Sequence, residues 1–313
     1  MPQSEPEEIA RAAELIRQGG LVAFPTETVY GLGANALDED AVARIFEVKG
    51  RPQTSPLIVH VASIDMARVI VSEWPLAAEK LGRRFWPGPL TLVLRRHPRV
   101  PLMVTAGLET VGIRVPAHPV AEALLRQAGV PIAAPSANRF TELSPTTAEH
   151  VRERLGDRVD CVLDGGPSTV GLESTVLSLA EETPCIYRLG MISKADLEAL
   201  IGPVMVAAPP APLVAHASPG QHPRHYSPRT PLVLVTDGHF PDGRGAYVFR
   251  TNPSAAVSRN IGMPEAPDGY AAALYSTLHD LDCESWDWIA VERPPDAPEW
   301  AAILDRLRRA CQR

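Results

Sequence analysis

Four cations stand beside loops in the first two-thirds of the chain: Lys49 with Arg51, then Arg114, then Arg188. Short polar runs lie near them, namely Thr26, Glu27, Thr28 and Tyr30, then Ser136, Asn138 and Ser144, then Ser174 and Thr175. Cations among hydroxyls and turns are equipment for holding anions such as phosphate or carboxylate. Lysine is rare, with Lys49, Lys80 and Lys194 the whole set, so its place beside Arg51 suits a compact point charge for phosphate. It equally suits a cation complementing a helix C-terminus. Arg114 sits in the apolar run VGIRVP, where an arginine needs an acidic partner or an anionic ligand; Glu109 and Glu122 are the internal candidates. His60, inside LIVHV, reads as a core histidine from that run alone, and as a ligand because the strand follows the KGRP loop. Ser144 before Pro145 reads as a helix N-cap or as part of an anion site at that helix N-terminus.

Other chemistries fit less well. Residues 31–36, GLGANA, match the dinucleotide fingerprint G-x-G-x-x-A, but PTETVY separates them from the strand, and no acidic residue ends a second strand about 20 residues on. No Gly-Lys-Ser/Thr P-loop and no G-x-S-x-G elbow occurs. Cys161, Cys185, Cys283 and Cys311 are scattered without metal-ligand spacing and read as ordinary thiols. His216, His222 and His225 fall in a Pro-rich segment, a poor frame for a metal. No metal site made of protein side chains is assigned.

These residues need strands and helices to position them. The stretch 21–61 carries two apolar runs of strand length bracketing the loops PTETVYGLG and KGRPQTS. Ser4 with Glu7 reads as a capping box opening a helix that runs to Gly19-Gly20. Asp38 caps a helix ending at Lys49, and Ser63 another. Strands are expected at 21–24, 57–61, 91–94, 111–115, 131–134, 159–163, 174–179 and 185–189, with helices at 119–128 and 146–155 and one capped by Ser193. Adjacent strands mixed with β/α units point to a mixed α/β sheet. From about residue 203 prolines punctuate a linker or lid, and strands at 232–235, 246–249 and 288–291 with two helices form a compact second unit. The boundaries so read are 1–205, 206–230 and 231–313.

Composition agrees with an ordinary two-domain globular protein. The chain has 313 residues, 45% of them hydrophobic, enough for real cores. With 30 basic against 37 acidic residues and 5% aromatics it lacks the basic, aromatic surface of a nucleic-acid binder, so tRNA binding is not evident. No apolar run of about 18 residues appears, and the acidic start MPQSEPEEIA is unlike a secretory signal. A cytoplasmic protein without membrane contact is expected.

Several motifs in order carry a resemblance: FPTETVYGLGAN (24–35), KGRP followed by PLIVHV, PGPLT (87–91), VGIRVPAHP, APSAN (134–138), SPT at Ser144, ESTV at Glu173, and, for the longer form, SPGQHPRHYSP (218–228) and the ending PPDAPEWAAILDRLRRA (294–310). Together they resemble the threonylcarbamoyl-AMP synthase family, the YrdC-like proteins, in its longer two-domain form. The resemblance implies a YrdC-like twisted mixed sheet with flanking helices, plus a smaller C-terminal Rossmann-like α/β domain. It implies synthesis of threonylcarbamoyl-AMP from L-threonine, bicarbonate and ATP with Mg²⁺, with the product passed to a tRNA-modifying transferase. Residue by residue it implies Thr28, His60, Arg114, the Ala134 backbone and Ser174 for threonine. For ATP it implies Arg51, Ser55, Thr110, Ser136, Ser144 and Arg188, with Lys49 and Asn138 nearby and Tyr226 folding over the site; Lys49 and Arg51 are the expected catalytic cations. The chain departs from the family pattern at Ser55, Leu189, Thr141-Glu142 and Gln221-His222-Pro223. The competing reading is an RNA-binding, translation-associated module without ATP turnover.

Overall fold

The computed structural model describes residues 4–208 and 225–312. Ten short strands make one sheet: β1 (Val22–Phe24), β2 (Gly31–Asn35), β3 (Ile58–His60), β4 (Leu90–Arg95), β5 (Thr110–Arg114), β6 (Ile132–Ala133), β7 (Cys161–Val162), β8 (Thr175–Ser178), β9 (Cys185–Arg188) and β10 (Met205–Val206). Their order is β10-β9-β8-β4-β5-β3-β6-β2-β1-β7. The sheet is mixed: β3–β5 and β4–β8 are parallel, whereas β4–β5, β1–β2 and β3–β6 are antiparallel.

Helices cover the two faces unequally. Helices α1 (Pro6–Arg17) and α5 (Pro119–Ala128) pack on Val22, Phe24, Ile132 and Ala134. The opposite face receives α2 (Glu39–Lys49), α3 (Ile64–Val69), α4 (Leu76–Phe85), α6 (Ala148–Leu155) and α7 (Lys194–Ile201). Side chains on a strand alternate, and paired residues of neighbouring strands share a face. Register partners His60 and Arg114, together with Ile58, Gly112 and Val93, therefore lie on the α1/α5 face, beyond the reach of those two helices. Ile58, Val93 and Val176 form a separate small cluster there. This incompletely covered face becomes the floor of the site.

The second sheet, β11 (Leu232–Val235), β12 (Gly245–Phe249), β13 (Arg259–Gly262) and β14 (Trp288–Glu292), is wholly parallel in the order β11-β14-β12-β13. Helices α8 (Pro267–Asp282) and α9 (Ala301–Ala310) share one apolar core with it, and Val29, Leu143, Leu172 and Tyr226 enter that same core. Fully burying such an aliphatic side chain is worth roughly 1.5–3 kcal/mol, so the seam between the two units is a true core. No described helix is long and apolar enough to cross a membrane.

Several expectations need correction. The α1 capping box is built by Glu5 and Glu8 rather than Ser4 and Glu7; Ser4 instead exchanges hydrogen bonds with Asp164. GLGAN, read as loop, is strand β2, because its backbone pairs with β1 on one side and β6 on the other. Its glycine Gly33 lies under Phe24 and Ile132, leaving no room for a side chain. Helix α6 is capped by Thr147, which frees Ser144 for another partner. Strands β10 and β13 had no clear alternation to announce them.

Gly190 follows β9, and a Cβ placed on it would lie 2.3 Å from the Thr175 backbone nitrogen and 2.7 Å from the Ser174 carbonyl carbon. Gly190→Ala should therefore push β9 away from β8 and destabilise the fold by roughly 1–3 kcal/mol, read as a lower urea midpoint.

Candidate functional site

The uncovered sheet face, the β1–β2 connection and the end of the linker enclose a narrow cleft, partly open to solvent. Its walls carry Thr28, His60, Arg114, Ala134 and Ser174, the five residues expected around threonine. Arg51, Ser136, Arg188 and Tyr226 from the ATP set line the same cleft, as do Glu173 and His225.

Arg114 has its carboxylate, and it is neither candidate named from the sequence. Glu109, itself exposed, pairs with the largely buried Arg96, and Glu122 pairs with the exposed Arg126. Arg114 instead lies 2.7 Å from Glu27 Oε1 through Nη2, donates from Nη1 to Thr28 Oγ1 at 2.8 Å, and from Nε to the Gly88 carbonyl at 3.2 Å. Glu27 is fixed in turn by the Ala117 amide at 3.0 Å. A guanidinium carries five N–H bonds, so donors remain on Arg114 for a second anion.

Arg51 is oriented by its own loop: Nη2 donates to Ser55 Oγ at 2.6 Å and to the Pro56 carbonyl at 3.0 Å, and the guanidinium lies 5.8 Å from the Phe140 ring centre. Among the described residues no carboxylate lies within ion-pair distance of it. Burial, and then repulsion from Arg188, lower its pKa to about 10, which leaves it charged at neutral pH. Arg188 donates to the Ser174 carbonyl and to Ser174 Oγ, each at 3.0 Å. Burial also lowers its pKa.

Other members of the ATP set stand back from the cavity wall. Lys49, buried at the end of α2, donates to the Ser136 and Asn138 carbonyls and, at 3.2 Å, to Asn138 Oδ1. Its ammonium thus ties down the loop that presents Ser136, and burial followed by Arg51 pushes its pKa well below the ordinary lysine value. Asn138 closes that loop through Glu142 and accepts from Ser136. Ser55 holds Arg51, and Ser144 donates to Glu173 Oε1 at 2.6 Å. Thr110 lies on the same sheet face as Arg114 but at the far end of β5, outside the lining.

The roof comes from the linker end and the second domain. Tyr226 is 1% exposed with φ 62°, its ring 6.0 Å from Tyr275, and its hydroxyl has no hydrogen-bond partner among the described residues. His225 packs edge-on against Phe140 and Tyr226. His216 and His222 lie outside the described residues, and among those described no cluster of His, Cys, Asp or Glu could hold a metal. Glu173, Arg306, Tyr275 and His225 were not picked out as site residues from the sequence. His225 could have been found from its neighbour Tyr226, whereas the ending that contains Arg306 matched only the longer form of the family and carried no site role.

A buried cationic cleft on a twisted mixed sheet, roofed by a parallel α/β unit, defines a two-domain α/β enzyme that takes anionic substrates. Two family models cover the chain, one described as telomere recombination at residues 14–190 and the other as threonylcarbamoyl-AMP synthase, C-terminal domain, at 192–312. A threonylcarbamoyl-AMP synthase of Bacillus subtilis is 43% identical over 97% of this chain and 92% of its own. One of Pyrococcus abyssi is 48% identical in sequence over 96% of this chain and 92% of its own. The crystal structure of P. abyssi Sua5 complexed with L-threonine superposes with TM-score 0.91, covering 98% of this chain and 95% of that one, with 38% of the superposed residues identical. The chain belongs to the threonylcarbamoyl-AMP synthase family, and it is an enzyme.

Buried histidines give this fold a pH signature. Burial lowers the pKa of His60 and His279 to about 3 in each case. A histidine with a depressed folded pKa binds fewer protons when folded, so its stability contribution is complete above about pH 6.5 and is lost as pH falls toward 3. At pH 5 each should cost about 2 kcal/mol. Thermal melts between pH 7 and 5 should show stability falling with acid, and His279→Gln should flatten that slope.

Proposed function

We propose that the cleft condenses L-threonine, bicarbonate and ATP into threonylcarbamoyl-AMP, releasing pyrophosphate. The observation that carries this reading is the convergence of all five threonine-side residues with Arg51, Ser136, Arg188 and Tyr226 on one cavity. Arg114 takes the threonine carboxylate on its remaining N–H groups, with Glu27 and Thr28 fixing its plane. His60, neutral and with its Nδ1 unpartnered among the described residues, serves the threonine hydroxyl and amine side together with Ser174 and the Ala134 backbone. The amine nitrogen attacks the carbon of carbon dioxide derived from bicarbonate and loses a proton, giving a carbamate. A carbamate oxygen then attacks the α-phosphorus of ATP. The bond to the β-phosphate oxygen breaks, and pyrophosphate leaves with the electron pair.

Both reactants are anions, so the barrier is largely their repulsion and their need to be aligned. Arg51 and Arg188 supply fixed positive charge where water is scarce, which costs no reorganisation during reaction. Lys49 acts on this reading by holding the Ser136–Asn138 loop against the nucleotide. Ser55, Thr110 and Ser144 complete the nucleotide side, with Tyr226 over it. Glu173, which lines the cleft, and Glu27, beside Arg114, are both paired with arginines, so Mg²⁺ would arrive on the triphosphate. There it would neutralise phosphate charge. The product, a mixed anhydride easily lost to water, would be used by a tRNA-modifying transferase.

Purified protein with Mg²⁺, ATP, threonine and bicarbonate should release pyrophosphate, and leaving out threonine or bicarbonate should abolish the release. Equal release in the omission controls would defeat this function. Arg114→Ala, combined with Glu27→Gln so that no carboxylate is left buried alone, should raise the threonine KM by roughly two orders of magnitude with little change for ATP.

A further inference from the structure

Glu173 lines the cleft next to Ser174, and its carboxylate is almost fully buried. Its partners come from both halves of the molecule. Ser144 of the first domain donates to Oε1; Arg306 Nε, on α9, donates to Oε2 at 2.8 Å, and Tyr275, on α8, donates to the same oxygen at 3.2 Å. Arg306 is 1% exposed, the largest of the fully buried side chains. Its guanidinium lies 5.1 Å from the Tyr226 ring centre, and its Nη2 donates to the carbonyl of Leu189, the residue after Arg188. One second-domain arginine thus touches the carboxylate, the roof and the strand end of the proposed nucleotide site.

We propose that Arg306 is a positioning residue for the nucleotide side of this active site, cancelling the charge of Glu173 and seating Tyr226. The second domain on this account completes the ATP site. The inference rests on the assignment of Ser144, Arg188 and Tyr226 to ATP. The physical need is plain. A triphosphate entering a buried cleft meets a carboxylate on its wall, and repulsion at such range in a poorly screened site weakens binding steeply. A cation fixed behind that carboxylate removes the repulsion without competing for the phosphates, because Arg306 is spent on Glu173, Asp305 and Leu189. Glu173 in return holds Ser144 by an anionic hydrogen bond. A purely structural ion pair across the seam would lower stability when cut and would have no reason to discriminate between the two substrates.

The test uses the full chain and four forms: wild type, Arg306→Met, Glu173→Gln and the double variant. ATP and threonine KM are read from pyrophosphate release, ATP binding from calorimetry, and folding from thermal melts. Arg306→Met should raise the ATP KM and Kd about tenfold or more while moving the threonine KM less than about twofold. Adding Glu173→Gln should restore most of the ATP affinity, because no buried negative charge remains. Equal loss for both substrates, or a double variant no better than Arg306→Met, overturns the proposal. If Arg306→Met does not fold, Arg306→Lys keeps the charge and loses the fork; it should weaken ATP a fewfold with threonine unmoved, and equal weakening of both again overturns the proposal. Wild-type turnover that ignores threonine and bicarbonate would sink the assigned reaction. Calorimetric ATP binding would still report on Arg306 by itself.

Discussion

The constraint on which this molecule turns is the burial of several guanidinium groups around one space. Arg51, Arg114, Arg188 and Arg306 are each less than a tenth exposed. Charged groups removed from water are tolerated only with compensation, and the chain compensates them unequally. Arg114 and Arg306 have carboxylates, whereas Arg51 is held by hydroxyl and carbonyl oxygens alone among its described partners. The cleft is thereby left short of negative charge, a deficit that anionic substrates can fill.

The carboxylates follow from the same logic. Glu27 and Glu173 both sit at strand ends beside the hydroxyls that face the cleft, and each is met by an arginine from elsewhere in the chain. Glu27 keeps its partner within the first domain and sets the plane of Arg114. Glu173 reaches across the seam, so the second domain shapes the electrostatics of a site whose floor it does not build.

Much of this could be read from residue order. The alternating and continuous apolar runs announced β1, β3, β4, β5 and β8, and the caps Asp38, Ser63 and Ser193 start their helices as read. The polar residues just past the strand ends were recognisable because turns and hydroxyls cluster there. What stayed hidden depends on distance in sequence. The partner of Arg114 lies 87 residues earlier, and Glu109, nearer at hand, pairs with Arg96 instead. Arg306 sits in a helix whose sequence, ILDRLRRA, looks like any amphipathic C-terminal helix with a solvated cationic face. GLGAN looked like turn chemistry because its glycines serve close packing against Phe24 and Ile132 rather than a bend.

The seam and the linker end are coupled. Prising the two units apart would break Arg306 from Glu173, Arg154 from Asp282 and His279 from the Ser144 carbonyl together, and would unstack His150 from His279. Among the described contacts, residues 225–227 are held by ring packing, by the Arg306 guanidinium over Tyr226, by burial of Tyr226 in the seam core and by the Ser227 amide on the Thr141 carbonyl. Tyr226 is moreover kept in a left-handed backbone conformation that a tyrosine seldom adopts unaided. Because Tyr226 is gripped by the same Arg306 that crosses the seam to Glu173, loosening either contact slackens the other.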